Sequence, residues 1–140
     1  MYKSLIILFV AAIPLVSCTK TQQKNSACGT QACTLNFASV GVQFTDKDSQ
    51  RIIISNFTAV DLRTNKAFVH ASDPTANTLA GYEVVVNDSD LKDLSSEGDN
   101  IRVSATNPAT GETKTAVLKI AGGCNCHVTK ISGPDTIKFD

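Results

Sequence analysis

The chain contains no tryptophan and only two histidines, and aromatic residues make up 6% of its 140 positions. That supply is too thin for the stacking platforms with which proteins hold sugars or single-stranded nucleic acid. An excess of charge is missing as well. Thirteen basic residues balance thirteen acidic ones for a formal net charge of +0, so no overall field draws nucleic acid, an anionic membrane or an acidic substrate. No serine stands in a G-x-S-x-G turn, and Gly122-Gly123 precedes a strand pattern instead of following one, which excludes a nucleophile elbow and a phosphate loop. No apolar run reaches the about 20 residues that span a bilayer as a helix. What is present is one domain's length of chain, 42% hydrophobic and 19% charged, and five cysteines.

The apolar residues are concentrated at the start. Leu5 to Val16 (LIILFVAAIPLV) follows Lys3 and leads into small residues, the layout of a secretory signal peptide. Its end, Leu15-Val16-Ser17-Cys18, resembles the bacterial lipobox. That resemblance implies cleavage before Cys18 and acylation of its sulfur and amine. Each acyl methylene in the bilayer contributes about 0.8 kcal/mol, and more than one chain is needed for lasting attachment. Thr19 differs from the aspartate of inner-membrane retention signals, so the expected location is the outer membrane of the cell envelope, facing the periplasm. Thr19 to Ala27 (TKTQQKNSA) lacks apolar periodicity and reads as a solvated tether. The expected organisation is therefore a signal peptide over 1–17, a lipidated cysteine and tether over 18–27, and a folded domain over 28–140.

The folded part alternates with the period of strands. Val40, Val42 and Phe44 form one apolar face ahead of the polar turn Thr45 to Ser49, and Ile52 to Leu62 precedes Arg63-Thr64-Asn65-Lys66 and a second run, the pattern of a hairpin. Tyr82 to Val86, Ile101 to Thr106, Ala116 to Ile120, Cys124 to Ile131 and Thr136 to Phe139 supply the remaining strands. Ser89 to Ser95, capped by Asp88, predicts a short helical turn. The polar stretch Ala71 to Ala80 reads as either a crossover between the sheets or a functional loop, and its length favours the crossover. Seven or eight short strands in a chain of this size predict an all-β, two-sheet antiparallel sandwich.

Two resemblances agree with this. The turn Thr45-Asp46-Lys47-Asp48-Ser49, the Ile-rich run after it and Asp61-Leu62-Arg63-Thr64-Asn65-Lys66 are similar to the start of carboxypeptidase-regulatory-like, transthyretin-like (Ig-like) domains. The early cysteine pair, Tyr82 to Ser89 (YEVVVNDS) and the ending Cys124-Asn125-Cys126-His127-Val128 to Ser132-Gly133-Pro134 resemble small Bacteroidetes lipoproteins. They imply a tethered sandwich and no activity.

Outside the cytosol, Cys28, Cys33, Cys124 and Cys126 are expected to form disulfides. Cys124 and Cys126, two apart in an expected strand, have Cα atoms about 6.6 Å apart and are badly placed to bond each other. Each N-terminal cysteine is therefore expected to pair with one of the C-terminal two. The rival is a zinc or copper site built from Cys124, Cys126 and His127, although strand alternation turns His127 to the opposite face. Asp46/Asp48 and Asp88/Asp90/Asp93 read as solvated turn and cap residues. No cofactor and no enzymatic activity are expected. The partners implied are the membrane through Cys18 and an envelope protein or glycan, and the function implied is that of a binding or structural accessory module.

Overall fold

A computed structural model describes residues 28–29, 32–70 and 81–140. The expected signal peptide, Cys18 and the tether lie outside the described residues. Among the described residues eight strands appear in chain order: β1 (Ser39–Thr45), β2 (Ser55–Asp61), β3 (Ala67–Phe68), β4 (Tyr82–Asn87), β5 (Asp99–Thr106), β6 (Thr113–Ala121), β7 (Thr129–Ser132) and β8 (Thr136–Lys138). A 3-10 helix, Asp88–Asp93, lies between β4 and β5. The strands form a three-stranded sheet ordered β4-β1-β8 and a five-stranded sheet ordered β3-β2-β5-β6-β7, the expected all-β sandwich.

Alternation explains the packing. Val40, Val42 and Phe44 of β1 face Ile101, Val103 and Ala105 of β5 and Leu118 and Ile120 of β6 in one apolar core, while residues between them turn outward. Phe44 sits at its centre, edge-on to Phe57 at 6.1 Å and tilted against Phe139 at 6.2 Å. Gly41 lets β4 approach β1 closely, because a Cβ there would meet the Tyr82 ring at 2.4 Å.

Three details depart from expectation. Ile52 to Ile54 is not part of β2, which begins at Ser55. Among the described residues one pairing is parallel: β8 returns beside β1 with Phe44 opposite Ile137. The strand expected over Cys124 to Ile131 is shorter, since 124–126 is a turn and β7 begins at Thr129. Residues 71–80, where a crossover was expected, lie outside the described residues; β3 before them belongs to the larger sheet and β4 after them to the smaller.

Two inward-facing carboxylates anchor the β2–β3 hairpin. Asp61, 0% exposed, accepts hydrogen bonds from Arg63 N at 2.8 Å and Thr64 Oγ1 at 2.6 Å. Asp99 accepts Arg63 Nε and Nη2 at 2.6 and 2.7 Å and Ser95 N at 2.7 Å. The Arg63 bonds hold the Asp99 carboxyl below the usual carboxylate range against the opposing effect of burial. A lowered folded value means that this stabilisation is complete above the unfolded pKa of about 3.9 and disappears as pH falls through the folded value. Arg63 is half-exposed and rehydrates when released, so Asp99→Asn is expected to cost only about 1–2 kcal/mol at neutral pH. Its loss of stability in acid should be shallower than that of the wild type. Urea midpoints measured across this pH range check the pair; parallel curves for the two proteins would refute its role in acid lability.

Candidate functional site

Of the residues singled out by the sequence, Cys28, Cys33, Cys124, Cys126, His127 and Asp88 meet at one corner, where the incoming N-terminal segment, the 3-10 helix and the turn before β7 converge. Gly122-Gly123 makes the approach possible. Gly122 N donates to Ser95 O at 2.9 Å and Gly123 N to Leu91 O at 2.6 Å. A Cβ on Gly122 would lie 2.7 Å from Leu94 Cβ, and Gly123 has φ +60°. The chain then turns, with Cys124 N donating to Ser96 Oγ at 2.8 Å. This turn replaces the strand expected from Cys124, and with it the argument that alternation sets His127 apart from the sulfurs.

Cys28 is bonded to Cys124 and Cys33 to Cys126, with Cα separations of 5.0 and 5.3 Å. The N-terminal pair is thus joined to the C-terminal pair. Each pairing leaves neighbours in register: Thr34 follows Cys33, His127 follows Cys126, and Thr34 Oγ1 lies 2.9 Å from His127 Nε2.

Asp88 is the centre of the corner. Its Oδ2 accepts Ala38 N at 2.8 Å and lies 2.7 Å from His127 Nδ1, and its Oδ1 accepts Val128 N at 2.9 Å. Burial works to raise the Asp88 carboxyl, but the bonds from Ala38, His127 and Val128 outweigh it, so the group stays below the ordinary aspartate range. An ionised carboxylate only accepts, which places a proton on His127 Nδ1; in the neutral ring Nε2 then accepts from the Thr34 hydroxyl.

Asp88 is therefore not the helix cap. Asn87 takes that place: its Oδ1 accepts Ser89 N at 2.8 Å, while Asp90 Oδ2 accepts Asn87 N at 2.9 Å. The expected solvated cluster is corrected accordingly. Asp88 and Asp90 are largely buried by their partners, and only Asp93, paired with Lys66 at 2.5 Å, is well exposed. Asp90 also lies 3.0 Å from His70 Nε2, a buried nitrogen with no aligned hydrogen-bond partner among the described residues, while Asn87 Nδ2 lies 3.2 Å from His70 Nδ1. Asp46 is a turn residue as expected, accepting Asp48 N and Gln50 N at 2.9 and 2.8 Å.

The chemistry of the corner follows from these contacts. With Cys124 and Cys126 both in disulfides, the thiolates of the zinc or copper alternative are already consumed, and His127 takes Asp88 and Thr34 as its partners. Thr34, His127 and Asp88 stand in the order hydroxyl, imidazole, carboxylate, an arrangement not read from the sequence. An open concavity of about 300 Å³ lies elsewhere, lined by Ser39, Val40, Gly41, Tyr82, Lys130 and Asp135, and includes none of the three. The trio joins the N-terminal segment to the 3-10 helix and the β7 turn, and acts as a polar clasp beside the disulfides. Comparison of the chain with protein-family models, with curated proteins and with solved structures finds no match.

Proposed function

We propose that the protein is a lipid-anchored component of the cell envelope, held in the outer membrane through acylated Cys18 and facing the periplasm, with the sandwich as a binding or structural accessory module. The observation that carries this reading is the placement of Leu15-Val16-Ser17-Cys18 at the end of the apolar run Leu5 to Val16. Two disulfides support it, because they belong to an oxidising compartment. The fold supports the accessory role: β3 and β7 border one sheet and β4 and β8 the other, and open strand edges and loops are where tethered sandwiches meet protein or glycan partners.

Feeding cells an alkyne analogue of palmitate tests the anchor. The wild type is expected to carry the label and remain in the detergent phase, and Cys18→Ser to lose the label and enter the aqueous phase. An unlabelled wild type would end the lipoprotein reading. Pull-down from native envelope tests the accessory role, which fails if no protein or glycan is enriched over a disulfide-intact unrelated sandwich.

A further inference from the structure

We infer that the segment between the first disulfides and β1 is a membrane-contacting edge, with Leu35 and Phe37 seated in the lipid interface; this rests on the anchored reading above. The segment is fixed at several points. Cys33 is bonded to Cys126, Thr34 to His127, and Ala38 N to Asp88. Between them Leu35 is fully exposed and Phe37 is 68% exposed. Isolated exposed apolar residues are ordinary, but two held on a pinned backbone cannot fold back to bury themselves and instead present apolar surface outward.

The chain outside the described residues identifies the occupant. The nine residues Thr19 to Ala27 separate Cys18 from Cys28, and fully extended they reach only about 30 Å. A domain tied to the bilayer by that length, at this corner, presents this corner first. Charge agrees: from Thr19 to Thr45 the only ionisable side chains other than cysteine are Lys20 and Lys24, and the first acidic residue is Asp46. Basic groups earlier in the same chain, with no acidic residue before Asp46, suit an anionic lipid surface.

The absence of tryptophan makes the test clean, since one introduced indole is the only one. Full-length acylated protein carrying Leu35→Trp, Phe37→Trp or, on the outer face of β6, Val117→Trp is reconstituted into phosphatidylethanolamine vesicles containing phosphatidylglycerol, after mass spectrometry confirms acylated Cys18. Emission from positions 35 and 37 is expected to shift to shorter wavelength and to be quenched by brominated lipid, while that from position 117 stays aqueous. Acylated protein whose indoles at 35 and 37 remain aqueous overturns the membrane edge and leaves the anchor standing. Equal quenching at 117 also overturns it, and so does a blue shift without lipid quenching that grows with protein density, which would assign the face to a second copy. A chain with no acyl group on Cys18 overturns both readings.

Discussion

Removing both disulfides is expected to lower the unfolding free energy by about 7 kcal/mol, whereas removing either one alone costs only about 2–3 kcal/mol. The asymmetry comes from overlap. The bridges join residues 96 and 93 positions apart, so the loops they close are almost the same loop. Whichever bridge is present restricts the unfolded chain over most of the domain, worth about 4–5 kcal/mol in the chain-entropy model. The other then closes only a ring of about eight residues, through the short spans 28–33 and 124–126 and the first bridge, worth about 2.5 kcal/mol. A domain of this size has only about 5–15 kcal/mol of net stability, so the variant lacking all four sulfurs sits near the limit of folding. Urea unfolding of Cys28→Ser/Cys124→Ser, Cys33→Ser/Cys126→Ser and the fourfold variant measures each cost. A loss of 4–5 kcal/mol from either paired variant, or a fourfold loss equal to the sum of the two, would refute the overlapping-loop account.

Much of the sandwich was legible because alternation is a local property: Val40, Val42 and Phe44, or Ile101, Val103 and Ala105, declare an inner face without knowledge of what covers it. The same rule held information that sequence reasoning did not use. Extending the inner face of β5 back from Ile101 reaches Asp99, and extending that of β2 forward from Ala59 reaches Asp61. A carboxylate at an inward position needs partners, and Arg63 two residues beyond Asp61 is the cation that the turn delivers. The parallel return of β8 beside β1 had no such signal, because sheet order depends on contacts between distant residues. At the corner, the cysteines cross-pair as expected, but the strand geometry used to expect it is absent, because Cys124 and Cys126 lie in a turn. The clasp was not legible, because it depends on the turn that follows Gly122-Gly123, where a strand was expected, and on Asn87 taking the cap position that Asp88 was expected to fill.

That last exchange makes Asp88 the most sensitive polar residue of the corner. Asp88→Ala removes the acceptor of Ala38 N and Val128 N together with the partner of His127 Nδ1. Hydrogen bonds to a charged group contribute about 1.5–3 kcal/mol each, and donors left without partners lose that support while remaining partly shielded from water, so the expected cost is about 3–5 kcal/mol. The backbone bond from Asp88 N to Ala38 O at 3.0 Å survives the substitution, and the disulfides keep the N-terminal segment attached, so the damage is local opening and not release. Amide exchange should therefore accelerate at Ala38 and Val128 ahead of β5 and β6, whose ladder is untouched. Asp88→Asn keeps one acceptor oxygen and should fall about halfway between, at roughly 2 kcal/mol. Because the folded Asp88 carboxyl lies below its usual range, its contribution is complete above the unfolded value of about 3.9 and is lost as pH falls through the folded one, so both variants should lose less stability than the wild type on acidification. Unchanged exchange at Ala38 and Val128 in Asp88→Ala would show that the clasp contributes nothing beyond the two disulfides.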